Sequence, residues 1–195
     1  MLDLVVPTVA LEAAWSEAHA EWGQGAHEDG FGLDPSDDVT SPEGFARWVN
    51  RLVHASDTPH GPRCTYRWIV EDGNVLGGIA VGHQLNEFRL HARGQVGYGV
   101  RPSARRRGVA TWALGQMLTT MREVGLTRLL VVCADDNVVS AKTIERCGGI
   151  LEDVRMTDLH LARRYWIDLN TACCARQYVP DVAEPGKGAC HSRPW

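Results

Sequence analysis

From Val96 to Ala110 the chain reads VGYGVRPSARRRGVA, and four arginines, Arg101, Arg105, Arg106 and Arg107, fall within seven residues. Such a density of guanidinium groups points to an anion. The segment is strand-like up to Val100, is broken at Pro102, and resumes as a helix-forming run after Gly108. The first turn of a helix leaves backbone N–H groups without partners, and with the macrodipole they favour bound negative charge. Gly108 and Ala110 carry little or no side chain, so a phosphate can approach the backbone. The combination suits a pyrophosphate. It is neither the GxxxxGK[ST] loop of nucleotide phosphohydrolases nor the GxGxxG dinucleotide turn. A solvated basic turn that binds nothing is the plain alternative.

The elements around this turn read as one α/β domain. LDLVVPT is a strand closed by Pro7, and a helix capped by Thr8 runs to Trp22. The acidic, glycine-rich stretch from Gly23 to Asp38 has no period and reads as a loop. Ser41 caps a second helix whose Phe45, Trp48, Val49, Leu52 and Val53 follow a helical stripe. Two β-rich runs flank an Asp-Gly turn at Asp72–Gly73 and predict a hairpin. A glycine-containing strand ends at Val100, a long helix follows Gly108, LTRLLVVCA is an apolar strand, and a short helix after Asn137 ends at Gly148. Two strands complete the order β-α-α-β-β-β-α-β-α-β-β. The expected domain spans 1–171. The Pro-, Gly- and Cys-containing remainder, 172–195, reads as a disordered tail or one that docks on a neighbouring subunit.

With 195 residues there is length for one sizeable core, and a formal net charge of −4 argues against a nucleic-acid partner. No aromatic residues interleave with the arginines to stack on bases. No apolar run reaches a bilayer-spanning length and no basic region precedes the first apolar stretch, so a cytoplasmic location without membrane contact is expected. Cys64, Cys133 and Cys147 fall in core elements, and Cys173, Cys174 and Cys190 lack paired CxxC spacing, so no metal site is expected.

Arg105, Gly108 and Ala110 occupy the first, fourth and sixth places of RRRGVA, which resembles the Q/R-x-x-G-x-G/A signature of the GCN5-related N-acetyltransferases (GNAT). GYGVRP before it and DNVVSAKTIERCGG after the next strand are similar to that family's strand exit and second cofactor segment. The wider wording resembles a bacterial subgroup of predicted acetyltransferases. The resemblance implies a mixed central sheet with helices on both faces and splayed middle strands. It implies acetyl-CoA as cofactor. The backbone of Arg106, Arg107, Gly108, Val109, Ala110 and Thr111 would hold the pyrophosphate, and the side chains of Arg105 to Arg107 would reach the ADP phosphates. Tyr98, Gly99 and Val100 would pair with the pantetheine arm as an added strand does. The N–H near Val100 would stabilise the oxyanion. Asn137, with Ser140 one turn on, would meet the pantetheine.

Two family positions are empty. The tyrosine that protonates the departing thiolate would fall seven residues after Asn137, at Ile144, and the glutamate base five residues before it, at Val132. An amine nucleophile still has to lose a proton. Glu87, in a polar patch with His83 and Asn86, is the first candidate, and Tyr98 the second. His83 is a third possibility, and an acetyl-cysteine route through Cys133 lacks an adjacent histidine. The implied activity is acetyl transfer to a primary amine of a small molecule, or of a peptide, by direct attack in a ternary complex. The acidic loop from Glu28 to Asp38 would suit a cationic acceptor. The alternative is a catalytically reduced acyl-CoA-binding regulatory or subunit module. Family habit and the tryptophans of the first two helices leave room for a homodimer.

Overall fold

The structure is a computed structural model that describes residues 1–22, 30–57, 63–158 and 160–170. Part of the acidic stretch and the tail 172–195 lie outside the described residues. The strands are β1 (Leu2–Val5), β2 (Cys64–Glu71), β3 (Asn74–Gly82), β4 (Val96–Val100), β5 (Arg128–Ala134), β6 (Ile150–Met156) and β7 (Leu161–Asp168). The helices are α1 (Glu12–Trp22), α2 (Pro42–His54), α3 (Val109–Glu123) and α4 (Val138–Arg146). Their order is the one the sequence predicts. The first helix differs at its start: Thr8 caps a single 3₁₀ turn, Val9–Leu11, ahead of α1.

Local chemistry accounts for the elements. Ser41 accepts a hydrogen bond from the Gly44 amide at 3.1 Å, and Pro42 occupies the first turn of α2. The β2–β3 turn places Asp72 (φ 50) and Gly73 (φ 82) in the left-handed region, the backbone of a tight hairpin. Two elements have no warning in the sequence: a five-residue π turn at Arg89–Arg93 and a 3₁₀ turn at Pro102–Ala104.

Helices cover both sheet faces. On one, α3 and α4 bury Leu114, Met117, Ala141 and Ile144 against Ile79, Val81, Val96 and Val131. On the other, α1 and α2 bury Trp15, Trp22, Phe45 and Trp48 against Trp68 and Val75. Trp48 stacks on Trp68 at 5.7 Å between ring centroids. Each such side chain is worth about 1.5–3 kcal/mol when buried. These tryptophans are consumed by the chain's own core and offer no surface to a second copy, so the argument for a homodimer from them fails.

The strands form two antiparallel sheets, ordered β1-β2-β3-β4 and β5-β7-β6. They meet at one point. The Gln95 amide donates to the Leu130 carbonyl at 2.7 Å, and a single β-bridge joins Gly94 to Val131. The buried Gln95 side chain completes the joint: Nε2 donates to the Gly82 carbonyl, and Oε1 accepts from the Leu130 amide, both at 3.1 Å. Beyond it β4 and β5 part. The α/β class with splayed middle strands is therefore present, and the contact that would merge the two sheets is reduced to this joint. Replacing Gln95 by leucine orphans a buried carbonyl and a buried amide. A loss of about 1–3 kcal/mol per orphaned group is expected in chemical denaturation, and an unchanged midpoint would show that the joint is not held by this side chain.

Candidate functional site

Hydrogen-bond parity fixes what faces the gap. The Arg101 amide donates to the Leu76 carbonyl at 2.7 Å, so odd-numbered β4 residues turn their polar groups toward β3. Tyr98 and Val100 then present N–H and C=O to the other side. Arg105 confirms this, since its Nε donates to the Val100 carbonyl at 2.9 Å. On β5, Leu130 faces Gln95, so Val132 shares that orientation. The gap thus has strand edges without a partner strand on both walls, the Val100 carbonyl being held by Arg105, and Gly97 to Val100 and Val132 are half-buried there. An extended chain with alternating donors and acceptors fits between such edges.

The mouth of the gap is the arginine turn. Arg106 (φ 63) and Gly108 (φ 78) are both left-handed. Gly108 is the N-cap of α3 and provides no side-chain cap, so the Val109, Ala110 and Thr111 amides have no side-chain partner. A Cβ at Gly108 would meet nothing within 4 Å, so the turn opens into free space. Backbone N–H groups so placed can form a cradle for an anion. The arginines divide their work. Arg101 pairs with Glu17 at 2.8 Å and with Glu21. Arg107 pairs with Glu71 at 2.6 Å. Arg105 reaches back to β4. Arg106 is exposed with no side-chain partner among the described residues. Of the three side chains expected to reach the phosphates, Arg107 is engaged by Glu71, and with Arg101 it pins the two ends of the turn to carboxylates on β2 and α1.

Inside the gap, β4 and α4 touch through Tyr98 and Ser140. The Tyr98 hydroxyl and Ser140 Oγ are 2.7 Å apart. Asn137 caps α4, its Oδ1 accepting from the Ser140 amide at 3.0 Å. Burial pushes the Tyr98 phenol well above the ordinary tyrosine range, and the opposing hydrogen bond from Ser140 does not offset it. A phenol so held is protonated at neutral pH. While protonated it is no base, which speaks against the reading of Tyr98 as the base, and the same shift makes it a weaker acid than an ordinary tyrosine. Ile144, at the family's tyrosine position, is fully buried in the core.

The other polar candidates separate. Glu87 is exposed, and its carboxylate makes no hydrogen bond or ion pair among the described residues. Its segment is anchored at the Leu90 carbonyl, which accepts from the guanidinium of buried Arg164. Arg164 is the register partner of Val132 on β5 and is itself paired with Glu152 at 3.0 Å. Sequence reasoning missed Arg164; an arginine inside an apolar strand was the available signal. His83 Nε2 lies 2.7 Å from Thr65 Oγ1, and burial lowers its pKa, with Arg63 and Arg89 acting the same way. Burial pushes the Cys133 thiol up, so thiolate is scarce and an acetyl-cysteine route is disfavoured. In the acidic loop, Asp34 accepts from Ser36, Asp37 pairs with Arg51, and Asp38 accepts from Thr40 and Ser41. These three carboxylates shape the approach to α2 locally.

An α/β core opened between two strands, with an uncapped helix at the mouth of the opening, is a setting in which an extended, anionic ligand can be held. Residues 30–150 match the family model described as an acetyltransferase (GNAT) domain, and the chain belongs to that family. A search of curated proteins gave no match. Among solved structures, the fold is similar to RimJ of Mycobacterium smegmatis in complex with CoA-disulfide, at 19% identity and a TM-score of 0.64, covering 85% of each chain. It is similar to the Salmonella typhimurium acetyltransferase that modifies the N-terminal serine of a 50S ribosomal subunit protein, at 17% identity and TM-score 0.62, over 86% of this chain and 94% of that one. It is also similar to the microcin self-immunity acetyltransferase MccE in complex with acetyl-CoA and AMP, at 14% identity and TM-score 0.60, over 86% and 92%. Among the described residues, no helix is long and apolar enough to cross a membrane.

The Tyr98 environment has a measurable consequence. A phenol whose folded pKa is raised leaves stability intact below the ordinary tyrosine value near 10 and erodes it as pH climbs from there toward the folded value. In absorbance titration at about pH 10.5, the native protein and its Tyr98→Phe variant should show equal phenolate signal. In denaturant they should differ by about three-quarters of one tyrosine's phenolate signal. That difference in the native state would contradict the buried, protonated phenol.

Proposed function

We propose that the chain transfers an acetyl group from acetyl-CoA to a primary amine, of a small molecule or of a peptide, by direct attack within a ternary complex. The observation that carries this reading is the unpaired edge of β4 running into the uncapped N-terminus of α3. The residues present fit the cofactor: the walls of the gap offer backbone partners, and the turn at Gly108 opens without a side chain in the way. The backbone of Arg106, Arg107, Gly108, Val109, Ala110 and Thr111 would hold the pyrophosphate, with Arg106 and Arg105 at its rim. Tyr98, Gly99 and Val100 would line the pantetheine arm on β4, and Asn137 and Ser140 on α4. Acetyl-CoA supplies the acetyl group as a thioester.

The chain's own residues supply the rest. The Val100 amide points into the gap and is the donor available to a carbonyl oxygen held there. Tyr98, with Ser140, takes the place of the missing family tyrosine and holds a proton for a departing thiolate. Glu87 is assigned the amine's proton, directly or through water. The choice of acceptor rests on the neighbours: one modifies a protein N-terminus and another confers microcin immunity, so both acceptor classes belong in the screen. The Tyr98–Ser140 pair, placed where β4 meets α4, favours an enzyme over a catalytically reduced acyl-CoA-binding module.

Calorimetric titration tests the cofactor half. Wild type should bind CoA, and Gly108→Asp, which sets a carboxylate at the cradle, should abolish binding. Retained binding in that variant would contradict the assignment. For the chemistry, Tyr98→Phe and Ser140→Ala should lower kcat by about 10²-fold or less with little change in KM for acetyl-CoA. Unchanged kcat in both would remove the pair from the mechanism.

A further inference from the structure

The 3₁₀ turn Pro102–Ala104 carries the chain from β4 into the arginine turn, and its own N-cap residue, Arg101, makes no side-chain cap. The cap comes from elsewhere in the sequence. The Glu21 carboxylate on α1 accepts from the Ser103 amide, from Ser103 Oγ at 2.9 Å and from Arg101 Nε. Glu17, one turn earlier on the same helix face, accepts from Arg101 Nη2 at 2.8 Å. Burial alone would raise the Glu21 pKa, but the Ser103 and Arg101 hydrogen bonds outweigh it and pull it below the carboxylate range. The group is therefore a charged acceptor at neutral pH.

The same helix reaches the opposite face of β3 and β4. Trp22, next to Glu21, packs edge-on against Phe31 at 5.8 Å, and a Cβ on Gly78 would sit 2.9 Å from the Phe31 ring. Gly78 is the register partner of Gly99 on β4. So the last turn of α1 touches both the exit of β4 and the segment that lies over its floor.

From this placement we infer that Glu21 is a positioning residue of the cofactor site: it caps the Pro102–Ala104 turn and thereby sets where the Arg106–Gly108 cradle sits relative to the β4 edge. The inference rests on the reading of that cradle as the pyrophosphate site. Its effect belongs on cofactor binding and not on the proton-transfer pair, which lies on β4 and α4.

The test uses the full chain, with CoA as probe in calorimetry and acetyl-CoA in steady-state kinetics. Glu21→Ala should weaken CoA binding and raise KM for acetyl-CoA about tenfold, with kcat within about twofold of wild type. Glu21→Gln keeps an oxygen for Ser103 and loses the charge toward Arg101, so it should fall between the two. It also carries the test should the alanine variant not fold. Residue-resolved hydrogen exchange should show the Ser103 amide exchanging faster in both variants before any ligand is added. Equal CoA affinity in wild type and both variants overturns the inference, as does a loss confined to kcat. A wild type that binds no CoA overturns the functional reading itself, and with it the cofactor role of Glu21; faster Ser103 exchange alone would then mark a structural cap only.

Discussion

The structure depends on hydrogen bonds that β4 and β5 do not make. Two strands at the centre of a fold normally satisfy each other's backbone, because an unpaired polar group away from water costs free energy. Here they touch only where Gln95 meets Leu130 and then diverge. The divergence creates a slot whose walls are strand edges, and such edges bind extended chains. Everything else follows from keeping that slot open. Gln95 fixes its closed end, using main chain and side chain together. The core under α3 and α4 spans both sheets, while α1 and α2 pack on the other face of the first.

Charge is distributed to the same end. A run of arginines beside an uncapped helix would repel itself if left bare. Two of the four are neutralised by carboxylates from distant parts of the chain, Glu17 with Glu21 and Glu71. Those pairs are partly exposed and of modest stabilising value singly. Their consequence is geometric: they anchor both ends of a turn that contains two left-handed residues. Arg105 and Arg106 are left without a carboxylate partner among the described residues. On the other side of the slot, the Tyr98 phenol stays protonated because it is buried against α4.

Much of this was legible in the sequence. Apolar periodicity and turn chemistry specify element order, since Ser41, the Asp72–Gly73 pair, Gly108 and Gly148 each punctuate as local sterics demand. The cradle could be read from small residues placed behind arginines. The pairing of those arginines could not, because Glu21 and Arg101 are 80 residues apart and charge alone does not say which partner wins. Gln95 was likewise silent, and Arg164 was visible only as an arginine in an apolar strand: a lone polar residue there acquires meaning when the topology supplies buried groups for it to satisfy. Tyr98 was visible as a candidate, but the state of its phenol depends on burial, which sequence spacing does not determine.

The most direct measurement is amide hydrogen exchange followed residue by residue in β4 and the α3 entry, with and without acetyl-CoA. The account predicts that the Tyr98 and Val100 amides, and those of Val109 to Thr111, exchange readily in the free protein and become protected on binding. The Gly99 and Arg101 amides, which face β3, should be protected in both states. Protection that appears elsewhere while the even-numbered β4 amides stay unchanged would contradict the slot as the cofactor's seat.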